Sequence, residues 1–500
     1  MDFKSLLLQS LFYLSFPFLL FCVGFLRWYV AIIMVAAVLW STYSIYRLHS
    51  LDSGTWKIDR SQIVGSIAVA LCCCFLLGVS GYWSQSYDWI VKNPILNELT
   101  ISPWPLVIDN SEASIEVKTI CGEDRVGFVY YLFFYLPAAM VGKLFGSFVL
   151  ARFALFLWSV YGLVLFLFLL LHFVSQTLLD RKKTILIIIC FIVWGGMDII
   201  GQGLRIIVLW LLGITSIRPY SLIDEWCQPY FSYYASHFTS LFWCFNQSIP
   251  LWLEMILLLS FRNVRSIGYY YCFSLLYSPW AAIGLLPIVS VMVFDWLKKN
   301  GWKAMLPMFS FPNIVFPLCV LVIVGTYYAS NSSSIIEKGF FWNFMSVKLF
   351  FVKYIVFILL EMGVYVCLMR REIKSDIVLL ISVCLLLIIP FYKMTSENDF
   401  IMRVSMPALF VLFAYWVKWC VSHFEACRKT IITILILSSF TAFQYVYNTT
   451  EDTIIHHGSV VYKENVLVSA GEDKIVAQYF EDQFYAHDYE KSFFWKYLAK

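Results

Sequence analysis

Apolar residues in this chain run in long stretches instead of alternating with polar ones, as in 185–193, 347–367 and 376–390. Runs of roughly 20 such residues predict transmembrane helices, because only an internally hydrogen-bonded backbone can cross lipid. Six short basic segments punctuate the runs: 47–60, 181–183, 262–265, 298–303, 370–374 and 418–429. Lys and Arg collect in cytoplasmic loops, so all six are expected on the inner side. The pattern predicts an all-α, polytopic transmembrane helical bundle of about 13 spans. They fall near 5–25, 29–46, 63–82, 149–174, 185–203, 236–260, 267–279, 281–297, 306–328, 347–369, 376–392, 403–422 and 429–447.

Two segments need special placement. The stretch 126–146 is apolar enough to span, but a crossing there would put 181–183 outside. It is expected instead as a helix along the outer interface, with Pro137 at its middle, Lys143 near its end and its tyrosines at headgroup depth. The stretch 267–297 has basic residues on both sides, so it must cross an even number of times. A helical hairpin turning at Ser278-Pro279-Trp280 satisfies this.

This topology divides the chain into N-terminal membrane helices (1–82), an outer loop with juxtamembrane helices (83–148), a transmembrane core (149–447) and an outer tail (448–500). The apolar start lacks a small-residue cleavage site and is read as a first membrane helix, with its N-terminus inside and the tail outside. Three segments carry outward mass: 83–125, 204–235 and 447–500.

Composition agrees. Of 500 residues, 61% are hydrophobic and only 14% charged, against about a quarter charged in soluble proteins. The 19% aromatic content suits interfacial belts. A net charge of +4 comes from inner-loop bases and gives no argument for nucleic acid. The 14 cysteines show no metal-ligand spacing. Cys121 and Cys227 both fall on the expected outer side, where a disulfide between them is chemically allowed.

Candidate chemistry gathers on that side. The loop 83–125 carries seven acids against three bases. Asp88 follows the third span directly. A carboxylate there can act as general base on a hydroxyl, can hold a divalent metal, or can merely be a solvated acid. Lys92 and Trp104 bound a proline-broken stretch that is either a groove lining or an ordinary interfacial helix. Asp198 sits in the fifth span, where acids are rare and point to function. Arg205 lies seven residues on and can pair with it. Lys143 and Arg152 offer positive charge at outer headgroup depth, for a lipid phosphate or for bulk lipid. Glu225 and His237 belong to the second outer segment. Asn398, Asp399 and Arg403 form a polar cluster that reads either as a sugar or phosphate site or as a capped helix start. Glu254, Asp295 and Glu361 lie in or near spans, either as an ion path or as partners of inner-loop bases.

Several of these residues recur in a fixed order. Asp88 opens the first long outer loop. Val129-Tyr130-Tyr131-Leu132 leads to Lys143-Leu144-Phe145-Gly146, Ala151-Arg152-Phe153 opens the next span, and Arg181-Lys182-Lys183 ends it. This order resembles the GT-C class of polyprenyl-phosphate-dependent membrane glycosyltransferases over roughly residues 88–260. Three features depart from that pattern. Asp88 is followed by Trp89 instead of a second acid, about two extra spans precede the loop, and no Pro-Pro precedes Tyr130.

The resemblance implies transfer from a polyprenyl-phosphate-linked sugar donor to a glycan, lipid or protein acceptor at the outer face of a bacterial plasma membrane. Asp88 would be the base. Arg152 and Lys143 would neighbour the lipid phosphate, with Tyr131 in the substrate-binding stretch that precedes them. Asp198 would hold a second-acid position. An O-antigen-type polymerase or ligase and a lipid-linked glycan flippase are the rival readings. The acidic loop disfavours the first, and the lack of repeated halves disfavours the second.

Overall fold

The computed structural model describes residues 2–50, 56–111, 113–175, 179–214, 223, 226–227, 231–332, 338–394, 399–455 and 474–500. The fold is an all-α bundle. Its first helices are α1 (Phe3–Phe25), α2 (Trp28–Ser50) and α3 (Arg60–Leu76). Asp2 caps α1 by accepting from the Ser5 N–H, and Asp59 and Gln62 cap α3 reciprocally. The 83–148 loop contributes α4 (Trp89–Ile101), β1 (Val107–Asp109), α5 (Ile115–Cys121), β2 (Arg125–Phe128) and α6 (Leu136–Phe145). The central helices are α7 (Phe148–Val174), α8 (Arg181–Ile192), α9 (Asp198–Leu211), α10 (His237–Phe261), α11 (Ile267–Tyr277), α12 (Pro279–Asn300) and α13 (Phe316–Ala329). Strand β3 (Lys338–Phe340) precedes α14 (Val347–Ile358), which passes through a π-turn into α15 (Val364–Leu368). Then come α16 (Arg370–Ser375), α17 (Ile377–Ile388), β4 (Tyr392–Met394), α18 (Asp399–Ile454), α19 (Lys474–Gln483) and β5 (Tyr485–Ala486).

Among the described residues, eight helices are long and apolar enough to cross a membrane, against the thirteen spans expected. Part of the difference lies in α18. Its Arg403 acts on the Tyr130 hydroxyl alongside Asp88, while the Ser84 N–H donates to Thr453 Oγ1 at 2.9 Å. A straight helix between those two contacts would measure about 75 Å, yet Asp88, only four residues from Ser84, acts on the same hydroxyl as Arg403. The helix therefore folds back on itself. The break is Cys427 (φ −119°, ψ 25°), inside the basic segment that separates the expected spans 403–422 and 429–447. The hairpin expected at Ser278 is present too. Ser278 ends α11 and caps α12, and the Tyr271 hydroxyl reaches across to the Ala282 carbonyl at 3.3 Å.

Three expectations are corrected. The span 185–203 is broken at Gly195-Gly196 into α8 and α9. The freed backbone groups find partners on the neighbouring helix: Tyr365 donates to the Gly195 carbonyl (2.6 Å) and the Met197 N–H to the Leu360 carbonyl (2.9 Å). The stretch 126–146 is no single interfacial helix. Arg125–Phe128 forms a strand, and Pro137 starts α6 only in its second half. Leu132 to Leu136 are fully buried. Helix α4 is likewise buried along nearly its whole length, not surface-lying.

The two ends of the bundle differ. At one end the basic segments touch one another. Gln62 donates to Thr184 (3.1 Å), His49 meets Ser266 (3.0 Å), and Arg262 pairs with Asp376 (2.8 Å) while also donating to Tyr415. At the other end the tail closes over the 83–148 loop. Strand β5 pairs with β2, which pairs with β1. The Lys500 N–H donates to the Phe25 carbonyl at 3.0 Å, and Arg27 donates to the Ala499 and Lys496 carbonyls. Loop and tail thus form one layer over the helices.

Candidate functional site

Asp88 stands at the start of α4 but makes no capping bond. Its carboxylate turns toward Lys92, one helical turn on, with Oδ2 3.4 Å from Nζ. The ammonium is nearly enclosed, 4% exposed, whereas Asp88 is 34% exposed. Lys92 also donates to the Trp243 carbonyl at 2.5 Å. Its head lies against the stacked rings of Trp89 and Phe245, 5.7 and 5.6 Å from their centroids. The Trp243 carbonyl is turned this way beside the kink of α10 at Cys244 (φ −134°). Trp243 in turn donates from its indole to the Tyr445 hydroxyl (3.2 Å) on the returning arm of α18.

Facing Asp88 is the turn before α6. Burial pushes the Tyr130 phenol up, with Arg403 opposing and Tyr131 and Asp88 adding to the rise. The Tyr130 hydroxyl therefore keeps its proton, with a carboxylate and a guanidinium both near enough to act on it. The backbone N–H of Tyr130 is fixed by Tyr327 (3.2 Å), and its ring packs on Tyr131 at 4.8 Å. The fold thus brings Asp88 and Lys92 of α4, Tyr131 of the turn before α6 and Arg403 of α18 together from three separate elements. A partly open acid held by an enclosed lysine, with a guanidinium and a neutral phenol nearby, can accept a proton from a hydroxyl and hold an anion beside it.

Asp198 belongs to a second, enclosed centre. It is 1% exposed, and its Oδ2 accepts from Thr441 at 2.8 Å. Glu361, in the π-turn after α14, is 4% exposed and accepts from the Trp226 indole at 2.9 Å. A Cβ on Gly196 would stand 2.3 Å from Glu361 Oε2 and 2.9 Å from Asp198 Oδ1. Gly196 is therefore the residue that lets both carboxylates converge. Arg205 and Glu361 both act on Cys227 beside this centre. Glu361 was expected near the inner bases, but its acidic neighbour is Asp198. Their wide separation in sequence hid the pair.

The other candidates are held elsewhere. Arg152 donates from Nε and Nη2 to the Ser80 and Gly81 carbonyls, both at 2.8 Å, and so shapes the turn ahead of Asp88. Lys143 donates to the Ser102 carbonyl and lies over Trp104, 5.6 Å from its centroid. His237 is buried, with Nδ1 3.0 Å from the Phe191 carbonyl, as a structural group would be. Asp295 pairs with Lys299 at 2.6 Å. Glu225 and Asn398 lie outside the described residues, as does the side chain of Asp399. Cys121 and Cys227 are not joined; burial pushes the Cys121 thiol up, and it rests on the Tyr485 hydroxyl at 3.7 Å. Among the described residues no three His, Cys, Asp or Glu side chains are grouped to hold a metal.

Compared with protein-family models, with characterised proteins and with solved structures, this chain matches none.

Proposed function

We propose that this chain is a membrane glycosyltransferase that moves a sugar from a polyprenyl-phosphate-linked donor to an envelope glycan, lipid or protein acceptor. The observation that carries this reading is the half-open carboxylate of Asp88, held by Lys92 and acting, like Arg403, on the Tyr130 hydroxyl. In the proposed reaction Asp88 takes the proton from the acceptor hydroxyl. Arg403 neutralises the phosphate as the sugar leaves it, and the Tyr130 hydroxyl donates to the same group. Lys92 is too enclosed to meet substrate and fixes the direction of Asp88 instead. Arg152 acts through the backbone of 80–81. The layer of loop and tail above the bundle is the surface from which an acceptor would approach.

The buried Asp198–Glu361 pair favours one alternative, an ion-coupled carrier of lipid-linked glycans. Proteoliposomes holding the purified protein separate the two. Sugar transfer from a labelled polyprenyl-phosphate donor without net flux supports the transferase. Flux of the intact lipid-linked glycan without transfer overturns it.

A further inference from the structure

Helix α10 carries an acid that neither centre uses. Glu254 is fully enclosed, and neither of its carboxyl oxygens receives a hydrogen bond from a described group. Among the described residues no basic side chain pairs with it. The titratable groups that feel it are Tyr271, Cys272 and Tyr277, all on the adjacent α11, with Tyr13 of α1 standing behind Tyr277.

The protons of these neighbours all point elsewhere. The Tyr277 hydroxyl donates to the Leu14 carbonyl (3.0 Å) and that of Tyr271 to the Ala282 carbonyl (3.3 Å). The Cys272 thiol donates to the Tyr269 carbonyl (3.0 Å). The hydroxyl beside the carboxyl group is that of Ser274, and it donates to the Tyr271 carbonyl at 2.6 Å. A hydroxyl has one proton to give but two lone pairs to receive. With that proton given to the Tyr271 carbonyl, a hydrogen bond between Glu254 and Ser274 takes its proton from the carboxyl. An ionised carboxylate here would have no described cation beside it, and no donor unless the Ser274 hydroxyl gave up the Tyr271 carbonyl, which is costly in a low-dielectric interior.

We propose that Glu254 is a proton-binding site enclosed in the helical bundle and filled at neutral pH, where the protonated carboxyl donates to Ser274 Oγ and fastens α10 to α11. The proposal is independent of which reaction the outer site performs. It also explains how the helix that supplies the Trp243 carbonyl to Lys92 is anchored further along its length.

The test compares the purified full chain with Glu254→Gln, whose amide can donate to the same oxygen. Infrared spectra at neutral pH are expected to show a protonated-carboxyl C=O band that the variant lacks. The native state then binds one more proton than the unfolded state above the ordinary glutamate range. The unfolding constant of the wild type should accordingly rise against that of Glu254→Gln by up to about tenfold per pH unit above pH ~4.3. An unchanged infrared spectrum, or a stability gap that is flat with pH, overturns the proposal. Should Glu254→Gln fail to fold, Ser274→Ala removes the acceptor. A shift of the carboxyl band in that variant supports the site, and an unmoved band overturns it.

Discussion

Lys92 Nζ lies 3.4 Å from Asp88 Oδ2, one helical turn apart, with the lysine head walled in by Trp89 and Phe245 while the carboxylate stays partly open. The asymmetry assigns the two residues different work. The lysine holds and the aspartate meets what arrives.

Lys92→Met tests this division. It removes the donor of the Trp243 carbonyl and leaves Asp88 without its nearest cation. A loss of about 1–3 kcal/mol in stability is expected from the unsatisfied buried carbonyl, and transfer should fall together with it. Thermal unfolding in detergent, measured beside the transfer assay, reads both effects. Wild-type stability in Lys92→Met would mean that the enclosed contacts do not hold the start of α4.

Gly196→Ala should be poorly tolerated. The added methyl would press on Glu361 Oε2 at 2.3 Å and on Asp198 Oδ1. Overpacking of this kind costs about 1–3 kcal/mol. Gly203→Ala in α9 is the matched control: nothing stands within 4 Å of its new Cβ. That change should leave stability unaltered or raise it by about 0.4–1 kcal/mol. Equal melting temperatures for both variants would contradict the close approach of the two carboxylates.

The opposite end of the bundle makes a pH-dependent prediction. Burial opposes ionisation of Asp376, but Tyr415, Arg262 and the Val378 N–H outweigh it and hold the carboxyl below its usual range. A depressed folded value means stability that is complete above the unfolded value, about 3.9, and lost as pH falls from there through the folded value. Wild type should therefore be more stable than Asp376→Asn at neutral pH, with the gap shrinking only below pH ~4. A gap that grew on acidification would have the wrong sign.

Trp495→Ala probes whether the tail is part of the fold. The indole is 7% exposed, donates to Ser330 at 3.1 Å and packs over Gly127 of β2. Truncating a buried Trp costs about 3–5 kcal/mol. Faster proteolysis of both the tail and the 83–148 loop is expected. Cleavage confined to the tail would show the two to be independent.

The bundle was legible because lipid imposes length and apolarity on each span, as α1, α7 and α10 illustrate. The α18 hairpin was legible from charge, since Lys418 to Lys429 fall at its turn. What stayed hidden was set by tertiary partners. The Gly195-Gly196 break depends on the Tyr365 hydroxyl, which donates to the Gly195 carbonyl, and on the Leu360 carbonyl, which accepts from the Met197 N–H. Strands of two to four residues carry too little alternation to be read, and β5 joins β1 and β2 from the far end of the chain. Asp88, Lys92, Tyr131 and Arg403 could each be singled out, but their meeting place depends on the fold of α18 and on the kink at Cys244. Tyr130 and Glu361 gained importance only once their neighbours were known.

The most direct measurement is sugar transfer from labelled polyprenyl-phosphate donors in membranes holding wild type or Asp88→Asn at matched folded levels. Asn keeps the size of the side chain and removes the base. The proposed mechanism predicts transfer by the wild type and a loss of about 100-fold or more in the variant, the usual contribution of a positioned general base. Equal transfer by both proteins would contradict it and remove Asp88 from the reaction.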